Sequence, residues 1–210
     1  MLYVNHREQH TKVLGPGIRY ALWLQGCKKK CPGCLYPAAR PLNQNGYWLD
    51  SKVIIDEIKK QPLLTGITIS GGEPFLQAKE LAGLIRQLKA ETTLDIMLYS
   101  GYTLEELRAE HNIFINYILE HSDLLIDGEY KEELNTNQMY RGSDNQVIHY
   151  LSPKYKAFEG IIENTKNRSV EFVYRNNELF IIGIPAKDFN KSFWQSALEK
   201  MNKICENNLK

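Results

Sequence analysis

Several features that mark specialised classes of protein are scarce or missing in the sequence. It contains only four cysteines, and its formal net charge is +1. No apolar run approaches the length of a membrane span, and residues 1–6 lack the basic and then apolar pattern of a signal peptide. These absences argue against a secreted disulfide framework, a membrane protein and a nucleic-acid-binding protein. We therefore expect a cytoplasmic protein that has neither nucleic acid nor membrane as a partner.

The remaining composition is that of an ordinary globular protein. The 210 residues are 43% hydrophobic and 24% charged, and they contain no internal repeat or low-complexity segment. This length is enough for one domain with a sizeable core. A change of pattern towards the carboxyl terminus leads us to expect a core over residues 1–157. Residues 158–210 are expected to form an extension packed on that core.

Short β-rich segments alternate with helical segments through much of the chain. The helical segments include one that opens with a capping box at Thr103 and Glu106. This alternation predicts a parallel sheet of right-handed βαβ units. The units are too few for a closed eight-stranded barrel, so we expect an α/β fold with a partial, open barrel and a short α+β extension. The predicted strands are apolar segments that end at turn residues, and they cover residues 18–26, 66–70, 94–99 and 123–128.

The two ends of the chain differ from this alternating region. Residues 1–17 are polar and end in a turn signal, and no strand or helix is predicted there. After the last of the alternating strands, a polar stretch leads to a predicted strand over residues 146–151. Residues 170–175 and 179–184 are predicted to form a hairpin, and residues 189–205 a closing helix.

Three of the four cysteines stand close together after the first predicted strand. Three residues separate Cys27 from Cys31, and two separate Cys31 from Cys34. Thiolates at this spacing are typical of a metal site. A structural zinc ion and an ordinary iron–sulfur cluster each take four protein ligands. A set of three therefore predicts a [4Fe-4S] cluster in which one iron is left open to a small molecule.

Two other interpretations of these cysteines stay open. Zinc is the first, with His6, His10 or Cys205 completing the ligand set. A disulfide is the second, and it leaves one of the three cysteines over. Cys205, alone on a late predicted helix, is otherwise typical of a small buried hydrophobe. The histidines are scattered and show no ligand spacing.

A second motif follows the next predicted strand. Gly71 and Gly72 carry no Cβ, so the backbone there is able to approach a ligand closely. Glu73 and Pro74 complete the motif, which by itself is also typical of a plain strand-to-helix turn. Because the carboxyl ends of parallel strands share one edge of a sheet, we expect the cysteines and this motif to meet there.

Ser100 and Asp127 end the two following strands at the same predicted edge. Ser100 either hydrogen-bonds a ligand or forms part of a turn with Gly101. Asp127 either faces the ligand, where a carboxylate would orient a cation, a peptide amide or a sugar, or caps a loop. The residues alone leave both alternatives open.

The cysteine spacing followed by Gly-Gly-Glu-Pro resembles the signature of radical S-adenosylmethionine (SAM) enzymes. The resemblance implies a partial barrel of the radical SAM type and a [4Fe-4S] cluster on Cys27, Cys31 and Cys34, with SAM chelating the open iron. It implies reductive cleavage of SAM to a 5'-deoxyadenosyl radical. That radical abstracts hydrogen without a protein acid–base pair, and we identify none. The residues assigned to SAM binding by the resemblance are Gly33, Gly71, Gly72, Glu73, Ser100 and Asp127.

Further motifs narrow the resemblance to one branch. Gly33 stands where the family usually has an aromatic residue, a departure that is also found in its small activase branch. Residues 100–107 and 140–146 follow in the order seen in activating proteins of anaerobic (class III) ribonucleotide reductase, which are kin of the pyruvate formate-lyase activating enzyme. The resemblance implies that this chain generates a glycyl radical on a large partner enzyme. The tail from about residue 158 is longer than a minimal activase needs.

Two alternative functions stay open beside the activase. One is a radical SAM enzyme that modifies a peptide or a small molecule. The other is a non-catalytic, zinc-binding interaction module. The metal content distinguishes the zinc-binding module from the two radical SAM enzymes. The identity of the partner distinguishes the activase from the enzyme that modifies a peptide or a small molecule.

Several basic residues near these motifs have two interpretations each. Lys28, Lys29 and Lys30 lie inside the cysteine stretch, and such a run is typical of a solvated surface. The other interpretation is a docking site for an acidic electron donor, flavodoxin-like or ferredoxin-like, because complementary charge steers encounter. Arg141 either pins a loop or carboxylate of the partner enzyme or is a structural, solvent-facing side chain.

Overall fold

The computed structural model describes residues 1–175, 177–189 and 193. Nine strands and five α-helices are found within these residues. The strands are β1 (Leu2–Thr11), β2 (Arg19–Leu24), β3 (Tyr47–Leu49), β4 (Gly66–Gly71), β5 (Asp95–Tyr99), β6 (Leu124–Asp127), β7 (Val147–Tyr150), β8 (Val170–Arg175) and β9 (Glu178–Gly183). The helices are α1 (Ser51–Lys59), α2 (Ala78–Glu91), α3 (Leu104–Ala109), α4 (Ile113–Glu120) and α5 (Ile161–Asn164).

A seven-stranded sheet forms the centre of the fold. Its strand order is β3-β1-β2-β4-β5-β6-β7, and the central strands β2, β4, β5 and β6 are parallel to one another. β1 pairs antiparallel with β2 and β3, and β7 pairs antiparallel with β6. The predicted mixed α/β fold with a mostly parallel sheet is therefore confirmed. Within the described chain β3 and β7 do not pair with each other, so no closed barrel is formed.

Helices α1, α2 and α4 cover one face of this sheet. Their apolar residues recur at helical spacing, as Leu84 and Leu88 do in α2. Successive residues of a strand point to opposite faces. Ile96 and Leu98 of β5 are accordingly buried in this layer, whereas Met97 is buried on the other side. The amphipathic helices thus account for the larger of the apolar layers.

The other face of the sheet carries a smaller apolar layer and a buried ion pair. Met97 and Ile148 pack there against Tyr155. Oδ1 of Asp95 lies 2.7 Å from Nη1 of Arg19, without the alignment of a hydrogen bond, and both side chains are completely buried. The Tyr155 hydroxyl donates to the other Asp95 oxygen over 2.7 Å. These polar contacts link β2, β5 and the segment after β7.

Local signals set the starts of two of the helices. The Asp50 side chain accepts a hydrogen bond from the backbone N–H of Lys52 and caps α1. The predicted capping box of α3 is present, with Thr103 and Glu106 each bonded to the other's backbone. In the described part of the chain, none of the helices has the length and apolar character of a membrane span.

The hairpin predicted in the carboxyl-terminal part is confirmed as β8 and β9. It lies on the second face of the sheet, where Phe180 and Ile182 pack with Ala21 and Trp23 of β2. Polar contacts join it to β1 as well. Glu171 accepts a hydrogen bond from the Thr11 hydroxyl over 2.6 Å, and Arg175 lies 3.0 Å from a carboxylate oxygen of Glu8.

The amino-terminal strand was not predicted from the sequence. Residues 1–17 contain few apolar residues, yet β1 occupies Leu2–Thr11. Leu2 and Val4 are buried, and the strand gains hydrogen bonds from neighbours on both sides. Its pairing with β2 contains register shifts, which interrupt the alternation that would identify a strand in the sequence. The predicted closing helix over residues 189–205 lies largely outside the described residues.

Candidate metal and cofactor site

A cavity of about 510 Å³ lies at the carboxyl ends of the parallel strands. It is formed by the loops that follow β2, β4 and β5, together with residues after β6 and strand β9. The structure therefore brings the cysteine stretch and the Gly-Gly-Glu motif to one place. The sequence-predicted site residues that line this cavity are Cys27, Cys31, Cys34, Gly71, Gly72, Glu73 and Ser100.

The cysteine loop is anchored at its base by backbone hydrogen bonds. The N–H of Gly26 donates to Ala39 O over 2.8 Å, and that of Cys27 donates to Arg40 O over 2.9 Å. All three thiols are free and half-buried. Burial raises the pKa of the Cys27 thiol to about 11, and it also raises the pKa of the Cys31 thiol. A bound metal ion would reverse this effect, because a coordinating thiol is deprotonated.

The donor set fits an iron–sulfur cluster better than a single zinc ion. Among the described residues, no group of three or more Cys, His, Asp or Glu side chains is arranged to hold one metal ion. A tetrahedral zinc ion requires each sulfur about 2.3 Å from one centre. Among the described residues the zinc interpretation with His6 or His10 has no such arrangement in its support, and the one with Cys205 is untested because that residue lies outside them. A [4Fe-4S] cluster spreads its thiolate ligands over separate iron atoms, and three free thiols around one cavity fit that group.

Gly71 and Gly72 are required by close packing of the backbone. A Cβ added to Gly71 would lie 2.3 Å from Leu24 O, and one added to Gly72 would lie 2.2 Å from Gly26 O. Gly71 also has a φ of +116°, which residues with side chains rarely adopt. The glycines thus hold the end of β4 against the start of the cysteine loop. The sequence suggested that a ligand approaches these glycines closely. The structure adds a second reason for the glycines, which is close packing against the backbone of the cysteine loop.

The backbone N–H groups of the same motif are already used within the protein. The N–H of Gly72 donates to Leu24 O, and that of Glu73 donates to Gly26 O, each over 2.8 Å. The backbone groups of this motif that are left for a ligand are therefore carbonyl oxygens, which are acceptors. Acceptors suit a cationic amine and do not suit a carboxylate.

Glu73 links the loops that follow β4 and β5. Its side chain is completely buried and accepts hydrogen bonds from Gly101 N at 2.8 Å, Phe75 N at 3.1 Å and Ser100 Oγ at 3.1 Å. Burial raises the pKa of Glu73 to about 7, although these hydrogen bonds act in the opposite direction. The carboxyl group therefore serves the structure of the cavity wall.

Ser100 belongs to the same network. Its hydroxyl donates to Glu73 and accepts from the N–H of Tyr102 over 3.0 Å. The turn that sequence reasoning offered as one interpretation of Ser100 is therefore present. A hydrogen bond from Ser100 to a ligand would require the hydroxyl to leave Glu73.

Asp127 lies away from the cavity. The side chain is buried, and its Oδ2 atom accepts from the backbone N–H of Leu104 and lies 2.8 Å from His149 Nε2. Leu104 is the first residue of α3, where a carboxylate satisfies an N–H that has no partner in the helix. Asp127 thus contributes to the start of α3, and its predicted contact with SAM stays a prediction.

Gly33 is also absent from the cavity wall. Its φ is +67°, and an added Cβ would lie 2.5 Å from Oε2 of Glu132. An aromatic residue at this position would be strained and would collide with Glu132. The departure from the usual radical SAM pattern thus has a backbone reason, namely the positive φ, and the predicted contact of Gly33 with SAM stays a prediction.

The three lysines of the cysteine stretch differ from one another. Lys28 and Lys30 are exposed, as expected for a solvated run. Lys29 is half-buried and lines the cavity, with Nζ 4.5 Å from the centre of the Tyr102 ring and 4.0 Å from Glu106 Oε1. No pattern in the sequence indicates this difference between the lysines.

Arg141 is structural. Its guanidinium donates to the carbonyl oxygens of Gln146 and Glu163, at 3.3 Å and 3.1 Å. It is half-buried, so the expected solvent-facing position is corrected. These contacts tie the loop before β7 to α5.

The wall contributed by the hairpin was missed by sequence reasoning. Phe180 and Ile182 of β9 line the cavity, and so does His6 of β1. The His6 ring stacks on Phe180 with ring centres 4.9 Å apart, and Nε2 of His6 is buried without a hydrogen-bond partner among the described residues. Burial, followed by the charges of Arg175 and Arg7, lowers the pKa of His6. No local sequence signal connects residues so far apart in the chain.

Comparison with known proteins identifies related chains. Residues 13–149 match the model of a family described as a 4Fe-4S single cluster domain. A relative from Salmonella typhi is 33% identical over 146 residues, which cover 66% of this chain and 92% of the relative. A relative from Escherichia coli is 32% identical over 150 residues, covering 66% and 92%. A relative from Vibrio cholerae is 34% identical over 144 residues, covering 65% and 90%.

These three relatives carry the same name, anaerobic ribonucleoside-triphosphate reductase-activating protein. Their similarity covers nearly their whole length, whereas the matched family region of this chain ends at residue 149, before the hairpin. The resemblance inferred from the cysteine and Gly-Gly-Glu motifs is therefore confirmed. The chain belongs to the 4Fe-4S single cluster domain family, in the radical SAM activase group that includes the anaerobic ribonucleoside-triphosphate reductase-activating proteins.

Proposed function

We propose that this chain is a radical SAM enzyme that generates a glycyl radical on an anaerobic ribonucleoside-triphosphate reductase. One observation carries the proposal: three free thiols and the Gly-Gly-Glu backbone line the same cavity of about 510 Å³. The names of the relatives support the choice of partner. Membership of a 4Fe-4S single cluster domain family supports the choice of metal group.

In this proposal Cys27, Cys31 and Cys34 hold a [4Fe-4S] cluster with one open iron, and SAM binds beside it. When bound and reduced, such a cluster would supply the electron for cleavage of SAM to methionine and a 5'-deoxyadenosyl radical, and hydrogen transfer from a glycine Cα of the partner would then give 5'-deoxyadenosine and the glycyl radical. Carbonyl oxygens of Gly71 and Gly72 bind the methionyl amine, since the adjacent N–H groups are already used.

Other residues of the chain orient the ligands and exclude water. Glu73 and Ser100 hold the loops after β4 and β5 at a fixed separation through their hydrogen bond. Apolar side chains of Trp23, Phe180 and Ile182 line the same cavity and limit the access of water. Holding the reacting atoms in place and keeping water out are what a protein supplies when a cofactor carries the chemistry.

The architecture and surroundings of this enzyme are part of the proposal. We propose that the open sheet is a partial barrel of the radical SAM type, with residues 1–157 as its core and residues 158–210 as an extension. Contacts of Glu171 and Arg175 with β1 support packing of the extension on the core. We also propose a cytoplasmic location, in keeping with the free thiols.

Electron transfer requires a donor, and we propose a flavodoxin-like or ferredoxin-like protein. A groove beside Cys27 is lined by the lysine run and by Arg40. Lys28 and Lys30 are exposed, so their charges are available to an acidic partner. Replacing both by Glu is expected to slow cluster reduction by the donor at low salt. Replacing the exposed Lys59 and Lys60 by Glu is the matched control, and equal rates in the two variants would argue against this groove.

The proposed function is tested by anaerobic reconstitution with iron and sulfide. We measure iron and labile sulfide per chain, absorbance in the visible region, and the 5'-deoxyadenosine formed with SAM and a chemical reductant. We expect all of them in the wild type, and we expect their loss when Cys27, Cys31 or Cys34 is replaced by Ala. A sample that holds zinc and no labile sulfide would support the interaction module and contradict the enzyme.

A second candidate function is modification of a different peptide or of a small molecule. The observation that favours it is the additional wall formed by β9, which lies beyond the matched family region. Electron paramagnetic resonance separates the two candidates. A glycyl radical in the reductase after incubation with this chain, SAM and reductant supports the activase. Cleavage of SAM with no glycyl radical in the reductase supports the second candidate.

A further inference from the structure

Strand β9 of the hairpin has one unpaired edge in the described structure. Among residues 1–175, 177–189 and 193, the two-stranded sheet consists of β8 and β9, so each of these strands has a partner on one side alone. The register runs from the pair Arg175–Glu178 to the pair Val170–Gly183. An edge of this kind presents N–H and C=O groups that are ready to pair with another chain.

The register determines which backbone groups point to this edge. Opposite residues of an antiparallel pair alternate between those that exchange hydrogen bonds and those whose N–H and C=O point outward. The pair next to a two-residue connection, here Arg175 and Glu178, is of the first kind. Counting from it, Leu179, Ile181 and Gly183 direct their N–H and C=O groups away from β8. No residue in the described part of the chain hydrogen-bonds to these groups.

The unpaired edge faces the cavity that contains the three cysteines. A strand that lies flat against a cavity contributes alternate side chains only. The consecutive residues of β9 that line this cavity are Leu179, Phe180, Ile181, Ile182 and Gly183. Because consecutive residues of β9 line the cavity and no residue of β8 does, we infer that the cavity meets β9 along its unpaired edge.

We propose that this edge of β9 is the docking site for an extended segment of the partner protein, which adds to the hairpin as a third strand. N–H and C=O groups at alternate positions match the backbone of an extended peptide. Residues 179–183 span about 14 Å at the usual rise of a strand, so the segment has about five residues. This inference rests on the proposed function, in which the partner brings a glycine into the same cavity.

The surrounding side chains favour a neutral segment. Lys29 and Glu73 are the charged groups among the described cavity residues other than the cysteines and His6. Lys29 lies beside Glu106, and Glu73 is hydrogen-bonded by Gly101. Glu73 is therefore engaged within the protein, and the contact with Glu106 offsets part of the charge of Lys29. Backbone pairing along β9, supplemented by small or apolar side chains, is therefore the main source of affinity.

The test replaces Leu179 by Pro, because proline has no N–H and removes one hydrogen-bond donor from the edge. Tyr174 lies directly across the hairpin from Leu179, and its N–H points to the opposite edge. Both side chains are more than half exposed, so Tyr174→Pro is the matched control for the hairpin, and Leu179→Ala is the control for the side chain. Thermal unfolding of each variant checks that the fold is retained.

The probe is the anaerobic ribonucleoside-triphosphate reductase of the organism that encodes this chain, and its dissociation constant is measured anaerobically. We expect Leu179→Pro to weaken binding at least tenfold and the two controls to stay within threefold of the wild type. In the wild type, we expect addition of the reductase to slow amide hydrogen exchange in residues 178–184 but not in residues 170–175.

Three outcomes overturn the inference. Leu179→Pro that binds as tightly as Tyr174→Pro contradicts pairing at this edge. Unchanged exchange in residues 178–184 on binding does the same. Dissociation of a wild-type dimer by Leu179→Pro would assign the edge to a second copy of this chain. A wild type that binds the reductase but cleaves no SAM contradicts the proposed function instead, so the two failures are distinguishable.

Discussion

The backbone N–H of Gly101 donates a hydrogen bond of 2.8 Å to the carboxylate of Glu73 and so joins the loops after two neighbouring parallel strands. The Gly-Gly-Glu motif is thus held from both sides, by its glycines against the cysteine loop and by its glutamate against the loop after β5. Changes in either contact are expected to alter the wall of the cavity without touching a cysteine.

The first prediction concerns the pH dependence of stability. The pKa of Glu73 is raised to about 7 in the folded protein by burial, from 4.5 for an unperturbed glutamate. The folded state therefore holds this proton more tightly than the unfolded state, and stability falls as pH rises from about 4.5 to about 7. We expect Glu73→Gln to lack that part of the decline. Urea unfolding of the metal-free, reduced protein at several pH values measures the difference, and parallel curves for the two proteins would contradict it.

The second prediction concerns the packing of Gly72. A Cβ at this position would lie 2.2 Å from Gly26 O and 2.6 Å from Ala39 O, so the cysteine loop would have to move. We expect Gly72→Ala to lower the free energy of unfolding by roughly 2 kcal/mol or more, as overpacking commonly does, and to lower the iron bound per chain after reconstitution.

Gly83 supplies the control for this change. It lies on α2, and apart from the neighbouring backbone of that helix no atom of the described residues lies within 4 Å of an added Cβ. Gly83→Ala is expected to raise the free energy of unfolding by about 0.5–1 kcal/mol, because alanine favours the helix. Equal effects of the two substitutions would show that the contact of Gly72 with the cysteine loop is unimportant.

The third prediction concerns the buried ion pair of Arg19 and Asp95. Asp95→Ala leaves the guanidinium of Arg19 buried without its counter-charge, and such a change typically costs about 3–5 kcal/mol. Glu91→Ala breaks the exposed pair with Lys59 and is expected to cost less than about 1 kcal/mol. Denaturant unfolding measures both. A small change in the free energy of unfolding for Asp95→Ala would contradict this prediction, and it would mean that water or other groups compensate the charge of Arg19.

The fourth prediction concerns the docking of the hairpin on His6. Burial, followed by Arg175 and Arg7, lowers the pKa of His6 below 6.5. The unfolded state therefore binds a proton more readily as pH falls below about 6.5, and the folded state loses stability there. His6→Phe keeps an aromatic ring against Phe180 and removes the titration. Between pH 7.5 and 5.5 we expect the free energy of unfolding to fall more in the wild type than in His6→Phe. An equal fall in the two proteins would contradict a lowered pKa of His6.

Elements with strong local patterns could be predicted from the sequence. The capping box of Thr103 and Glu106, the N-cap at Asp50 and the apolar spacing of α2 are properties of neighbouring residues. Strand β1 could not be predicted, because its few apolar residues form a strand only through pairing with β2 and β3. The same distinction applies to the candidate site.

The meeting of the cysteines with Gly71 and Gly72 followed from their positions after parallel strands, whose carboxyl ends share an edge. The orientation of individual side chains did not follow. Asp127 turns to α3 and Lys29 turns into the cavity, because the available partners, Leu104 N and Tyr102, are set by packing between distant loops.

The chemistry available to this protein, three grouped thiols and a backbone motif at the ends of successive strands, can be read from the order of its residues. Which of these groups already have a partner is a property of the fold. Hydrogen bonds within the protein occupy Glu73, Ser100 and the N–H groups of Gly72 and Glu73, whereas the three cysteines remain as free thiols at the cavity. This division arises because a hydrogen-bonding group takes its partner from whatever the fold brings within about 3 Å, and spacing along the chain does not specify that partner.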